Sequence, residues 1–105
     1  MITSVEKLPL NSPAEFNLDQ NYPNPFNPST TISYSLPIDG KVTIKIFDIM
    51  GREVESLADG IQTSGVHSVI WKGTNMIGNE SASGIYFYNI LYNGKSITKK
   101  LVLLR

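Results

Sequence analysis

His67 is the one histidine in the chain. General acid–base work and nucleophilic triads usually need a histidine beside a nucleophile or a carboxylate. His67 instead alternates with Val69 and Trp71 along one strand face, which makes it a packed or rim side chain. The nine carboxylates are scattered, and no pair recurs at a spacing that implies a two-acid site. Glu53 and Glu55 are expected to share a solvated strand face. Asp19, Asp48 and Asp59 are placed at strand ends, where calcium could bridge loops through carboxylates and carbonyls. They lack EF-hand spacing, and aspartate also builds turns. Gly73, Gly78 and Gly84 have no strand–loop–helix context, so they form no phosphate cradle. Asn79-Glu80-Ser81 matches the three-residue glycosylation sequon. With no cysteine, thiolate metal sites and disulfides are excluded. The expected site inventory is therefore no catalytic, cofactor-binding or metal-ligating residue, and no enzyme. Tyr22, Tyr88 and Tyr92 could stack on a sugar if exposed, which keeps open a carbohydrate-binding or structural appendage of a secreted hydrolase.

Two other segments stand out by their shape, though shape alone names no function. Gln20-Asn21-Tyr22-Pro23-Asn24-Pro25-Phe26-Asn27-Pro28 sets three prolines among asparagines and two aromatics. Each proline ring fixes its own φ and drives the preceding residue towards extended geometry. The segment must be a stiff, shaped loop, with Tyr22 and Phe26 expected to pin it onto a core. At the other end, Lys99-Lys100-Leu101-Val102-Leu103-Leu104-Arg105 puts two lysines before four apolar residues and a cation. Physically this is a last strand docked in a sheet, its lysines able to blunt an edge; the alternative is that a partner reads it by strand addition or carboxylate capture, and the residues alone favour the structural reading.

Short strands divided by turn residues must position these segments. Strands are expected over residues 16–20, 30–36, 41–48, 52–57, 66–72, 84–92 and 95–104. In the second, Ile32, Tyr34 and Leu36 oppose Thr31, Ser33 and Ser35. In the third, Val42, Ile44 and Ile46 oppose Lys41, Thr43 and Lys45, the pattern of a half-buried antiparallel strand. Val54 anchors the fourth, and residues 56–61 have room for a single helical turn. Asp39-Gly40, Asp59-Gly60 and Ser64-Gly65 read as turns. Asn93-Gly94 is the strongest two-residue hairpin signal. About seven strands with turn signals every ~8–12 residues predict an all-β, immunoglobulin-like antiparallel β-sandwich. Tyr86 falls just after the turn into the penultimate strand. It either closes that corner through its hydroxyl, as in many such sandwiches, or is a half-exposed strand aromatic. Tyr88 then takes the place of the second disulfide cysteine of antibody domains. Trp71 is the expected central core residue.

A chain of 105 residues suits one domain and buries roughly two-thirds of its unfolded surface. Residues 1–15 read as a linker or loose arm, with a first strand over residues 2–8 as the alternative, and residues 16–105 form the sandwich. Lys plus Arg equal Asp plus Glu, so the net charge is zero. That argues against nucleic acid and against a polybasic membrane patch. No apolar run is long enough to span a bilayer. No basic region followed by a hydrophobic stretch opens the chain. If it is the tail of a larger precursor, the export signal lies upstream.

Asn21-Tyr22-Pro23-Asn24-Pro25-Phe26-Asn27-Pro28-Ser29-Thr30-Thr31-Ile32 resembles the opening motif of type A C-terminal sorting domains of the type IX secretion system. Further pieces follow in order: Val42 to Asp48 with Gly51-Arg52-Glu53-Val54, Gly65-Val66-His67 leading to Trp71-Lys72-Gly73, Ser83-Gly84-Ile85-Tyr86-Phe87-Tyr88, and the terminal Lys99 to Arg105. The resemblance implies an immunoglobulin-like fold at the C-terminus of a large exported cargo protein of Bacteroidetes-type bacteria. It implies transit through the periplasm and recognition by the translocon of that system. It further implies that a sortase-like protease of the outer membrane removes the domain and attaches the cargo to the cell surface. Gly84, Tyr86 and Lys99 to Arg105 are the recognition residues it implies, with residues 21–28 as the motif loop. Cleavage is expected within residues 4–15. The segments 48–54 and 83–88 are also similar to the immunoglobulin-like domain of flagellar hook-capping proteins.

Overall fold

The computed structural model describes residues 13–105. The alternative strand at 2–8 and nearly all of the linker and cleavage region lie outside the described residues. Seven strands follow in order: β1 Asn17–Leu18, β2 Thr30–Leu36, β3 Gly40–Phe47, β4 Glu53–Gln62, β5 Gly65–Trp71, β6 Gly84–Tyr92 and β7 Lys95–Leu103. They form two antiparallel sheets, β1-β2-β5 and β4-β3-β6-β7. The chain crosses between sheets after β2, β4 and β5, giving an immunoglobulin-like sandwich.

Strict alternation builds the core. Ile32, Tyr34 and Leu36 of β2 face Val42, Ile44 and Ile46 of β3 and Tyr86, Tyr88, Ile90 and Tyr92 of β6, with Leu101 and Leu103 of β7. Period-2 side chains put one apolar set inward and leave the polar set in water. β5 follows the same rule: His67, Val69 and Trp71 point inward, whereas Val66, Ser68 and Ile70 are exposed. Asn93 and Gly94 both hold positive φ, at 48° and 77°, closing the β6–β7 hairpin as a tight turn requires.

Several expectations need correction. The first strand is two residues long, because the chain leaves the sheet after Asp19 donates its N–H to the Ser33 carbonyl at 2.9 Å. The fourth strand does not stop at residue 57 but runs to Gln62, so no helical turn forms at 56–61. Pairing along the full length of β3 overrides the local Asp59-Gly60 turn signal, with register shifts opposite Ile44/Lys45 and Ile46/Phe47. Those shifts also separate Glu53, opposite Phe47, from Glu55, opposite the buried Ile46, so the two do not share a face. Asp59 lies within the strand, not at its end, with its carboxylate 3.8 Å from Lys41 Nζ. Trp71 is buried at the end of the core beside the Pro-rich loop instead of its centre; it pairs with Thr30, the first residue of β2.

The Pro-rich loop and the last strand as a candidate recognition site

β7 is the outer strand of its sheet, and its outer edge is where the Pro-rich loop lies. Phe26 forms a parallel bridge with Leu103. Its N–H donates to the Val102 carbonyl and its own carbonyl accepts from Leu104 N–H, both at 3.0 Å. Val102 N–H donates to Asn24 Oδ1 at 3.0 Å, and Gln20 Nε2 donates to the Lys100 carbonyl at 2.9 Å. Four outward backbone groups from Lys100 to Leu104, which an edge strand would show to solvent, are thus taken up by residues 20–26. On β7 itself Lys99 sits half-buried on the core-facing side and Lys100 on the outer face. An inward cation is a further guard against strand addition.

The loop holds its shape through buried polar groups as much as apolar ones. Asn21 is buried: its Nδ2 donates to Thr30 Oγ1 at 3.0 Å and to the Pro23 carbonyl at 3.2 Å, while its Oδ1 accepts from Gln20 Nε2 at 2.6 Å. Thr30 Oγ1 donates to the same Pro23 carbonyl at 2.8 Å. Tyr88 reaches across from β6; its hydroxyl donates to the Asp19 carbonyl at 2.8 Å and accepts from Asn21 N–H at 2.9 Å. Burial holds that phenol above its ordinary pKa. Among the described residues no buried side-chain polar atom lacks a partner.

Of the two aromatics expected to pin the loop, only Phe26 does so. It is 2 % exposed, and its ring lies 5.5 Å from Trp71, which meets Tyr86 edge-on at 5.2 Å. Tyr22 is 80 % exposed. Its backbone exchanges two 2.9 Å hydrogen bonds with Thr31, and that pairing turns its side chain outward. Tyr88 and Tyr92 are buried, which removes them as sugar-stacking platforms.

Three inward tyrosines of β6 tie down three separate loops. Tyr86 closes its corner by donating to the Ala82 carbonyl at 2.6 Å, Tyr88 holds the entry to the Pro-rich loop, and Tyr92 donates to the Ile38 carbonyl at 2.7 Å. Gly84 opens the strand at φ 150°, a conformation that favours glycine.

Arg105 locks the same end. Its Nε donates to the Ser81 carbonyl at 2.7 Å, its Nη2 donates to the Gly73 carbonyl, and its backbone N–H donates to Ser83 Oγ at 2.8 Å. Its Nη1 lies 3.7 Å from Glu80 Oε2. Gly73 is where these pieces meet: at φ 71°, a Cβ added there would sit 2.8 Å from Arg105 Nη2 and 3.2 Å from the Pro28 carbonyl.

The residues marked out in the sequence are therefore brought together at one end of the sandwich. Asn21, Phe26, Tyr86, Leu101 and Leu103 are buried there, whereas Tyr22, Pro23, Asn24, Pro25, Asn27, Pro28, Lys100, Leu104 and Arg105 are exposed. Lys99, Val102 and Gly84 are half-buried. Gln20, Thr30 and Gly73 fall within the segments marked out in the sequence, but the contact of Gln20 with Lys100, that of Gly73 with Arg105 and the loop-anchoring role of Tyr88 carried no signal there, because the partners are distant along the chain. His67 stacks on Tyr34 at 5.5 Å, and its Nε2 donates to the Thr63 carbonyl at 2.7 Å, a structural placement. Asp48 shapes the β3–β4 turn: its carboxylate accepts from Met50 and Arg52 N–H and from Arg52 Nε at 2.9–3.0 Å. Among the described residues no three His, Asp or Glu side chains cluster as a metal site would require, and no helix is long and apolar enough to cross a membrane.

Comparison with known proteins agrees with this geometry. No curated protein matches the chain. Dimeric latent PorU of Porphyromonas gingivalis is similar to it over 88 % of this chain at 24 % identity and a TM-score of 0.69. PorZ, an essential surface component of the type-IX secretion system of the same organism, is similar over 98 % at 22 % identity and a TM-score of 0.58. This chain spans only 10 % and 12 % of those two chains. FlgD of P. aeruginosa is similar over 70 % of this chain and 61 % of its own, at 25 % identity and a TM-score of 0.57. The model of the secretion system C-terminal sorting domain matches residues 20–104, from the residue before Asn21 to Leu104. The chain belongs to the family of type IX secretion system C-terminal sorting domains.

Proposed function

We propose that this chain is the sorting tail of a larger exported cargo protein, a recognition domain with no catalysis of its own. The translocon of the type IX system reads it after the cargo reaches the periplasm. A sortase-like protease of the outer membrane then cuts upstream of the sandwich, within residues 4–15, and attaches the cargo to the cell surface.

The observation that supports this reading is the bridge between Phe26 and Leu103. The first and last of the segments that carry the family resemblance join in one rigid surface, and a preorganised surface binds with little ordering cost. Leu101 and Leu103 are fully buried, so a partner reads the last strand through Lys100, Leu104 and the outward side of the loop. The buried leucines secure the strand on which those groups stand.

Removing residues 99–105 would strip two core leucines and cannot separate recognition from folding. The informative variant is Lys100→Glu with Leu104→Glu, both exposed. Each tail is fused to a periplasmically targeted fluorescent protein in a host with a working type IX system. The intact tail is expected to bring fluorescence to the surface or medium, and the folded double variant to remain periplasmic. Retention of both fusions would overturn the sorting reading. Export of both would take the last strand out of the recognition surface.

A further inference from the structure

β5 is an outer strand, paired in its sheet with β2 alone. The two run in unbroken register from Thr30↔Trp71 to Leu36↔Gly65. In such a pair, residues alternate between turning their N–H and carbonyl towards the partner strand and away from it. Thr31 spends both groups on Tyr22, and the Ser33 carbonyl accepts from Asp19 N–H, so these residues face away from β5. Ile70 and Ser68, which lie opposite them, therefore turn their own N–H and carbonyl to the outer edge, and Val66 opposite Ser35 does the same. Among the described residues nothing bonds to those groups. The side chains on the same three residues are exposed too, Val66 to 77 % and Ile70 to 57 %.

The other outer strands are guarded. β7 is covered from Lys100 to Leu104 by the Pro-rich loop, and it carries Lys95, Lys99 and Lys100. β4 has two register shifts and holds Glu53, Glu55 and Asp59. β1 is two residues long. Residues 65–71 of β5 include no lysine, arginine, carboxylate or proline. A regular, uncharged edge with open backbone groups is built to accept another strand.

The edge is complementary to itself. A two-fold axis through Ser68 sets Val66 opposite the second copy's Ile70, Ser68 opposite the second copy's Ser68, and Ile70 opposite the second copy's Val66. Every outward residue then meets an outward residue and exchanges two hydrogen bonds with it. Side chains match as well: apolar meets apolar at both ends and hydroxyl meets hydroxyl at the centre. Val69, inward but only partly buried, gains cover from the second copy's His67. Sliding the register by two residues leaves an outward residue unpaired at each end. Because each copy has one such edge among its described strands, the contact closes at two copies instead of growing into a fibre.

We propose that two copies of this chain join through β5 as an antiparallel pair centred on Ser68, making one continuous sheet across the dimer. Tyr22 and the Pro-rich loop lie on the other side of β2, so the loop–strand surface stays open in the pair. The dimer stands or falls independently of the sorting reading.

The test is a charge swap at Ser68, whose exposed side chain allows substitution; an unchanged amide spectrum verifies the fold of each variant. Sedimentation of residues 1–105 up to millimolar concentration is expected to show a monomer–dimer equilibrium, with the amides of Val66, Ser68 and Ile70 shifting as the dimer forms. Ser68→Lys and Ser68→Glu each place like charges directly opposite across the axis and should weaken the dimer at least about tenfold. An equimolar mixture of the two variants sets opposite charges face to face and should restore association. A monomer throughout the series would overturn the proposal and leave the edge to a strand of another protein. A dimer indifferent to both substitutions would place the interface elsewhere, and failure of the mixture to restore association would remove the axis from Ser68; either result overturns the proposal.

Discussion

Phe26 is joined to Leu103 by a parallel bridge, with its N–H on the Val102 carbonyl and its carbonyl on Leu104 N–H. One residue of an otherwise irregular loop thereby acts as a short extra strand on β7. Its ring is the matching apolar plug against Trp71. Backbone pairing and side-chain burial at the same residue make it the point through which the loop is held.

Phe26→Ala should therefore destabilise the domain by about 3–5 kcal/mol, the range for removing a fully buried aromatic ring. Urea unfolding followed by Trp71 fluorescence measures it. A loss well below ~1 kcal/mol would show that the loop is held by other means.

Tyr22→Ala is the contrast. The ring is solvent-exposed and its backbone bonds to Thr31 persist in alanine, so stability should change by less than ~0.5 kcal/mol. An equal loss for Tyr22→Ala and Phe26→Ala in the same titration would contradict the assignment of Phe26 as the plug.

Gly73→Ala combines a left-handed backbone with a Cβ placed 2.8 Å from Arg105 Nη2. The backbone term alone costs about 1–2 kcal/mol. Because the displaced group is the Arg105 guanidinium, Gly73→Ala and Arg105→Ala should be non-additive, the double variant losing less than the sum. Strict additivity in a double-mutant cycle would mean that the two residues do not meet in solution.

Tyr88→Phe removes the hydroxyl shared by the Asp19 carbonyl and Asn21 N–H, and should cost about 1–3 kcal/mol. It also alters the alkaline response. Burial raises the folded-state pKa of Tyr88 and Tyr34 above the ordinary 10.0. The unfolded chain then ionises first, so their contribution is complete below pH 10.0 and is lost as pH rises through the folded-state values. Tyr88→Phe should make the loss of stability above that pH shallower, and an unchanged slope would rule out Tyr88 as a source.

Asp48 works on the acid side. Hydrogen bonds, first of all from Arg52 N–H, hold its pKa below the ordinary 3.8. A depressed carboxyl contributes stability above its unfolded value and loses it as pH falls through the folded value. Asp48→Asn should flatten the fall in stability below pH 3.8. Chemical denaturation at stepped acid pH reads the slope, and an unchanged slope would assign the acid response to other carboxylates.

The chain by itself determined what depends on local period and local turn chemistry. Alternation of Ile32, Tyr34 and Leu36, and of Val42, Ile44 and Ile46, dictates which side chains face the core whatever their partner strand. Asn93-Gly94 dictates a hairpin because both residues accept positive φ. Tyr86 finds its acceptor at Ala82, four residues upstream, so the corner too was legible. The tertiary structure decided everything that needed a distant partner. Whether Tyr22 or Phe26 turns inward depends on Tyr22 pairing with Thr31 and Phe26 with Leu103. The reach of β4 past Asp59-Gly60 depends on the length of β3. The cover on the edge of β7 and the meeting of Arg105 with Gly73 depend on the order of strands in the sheets. Period and propensity act over a few residues, whereas sheet order is a balance of burial and hydrogen bonding over the whole sandwich, and no short stretch of sequence encodes it.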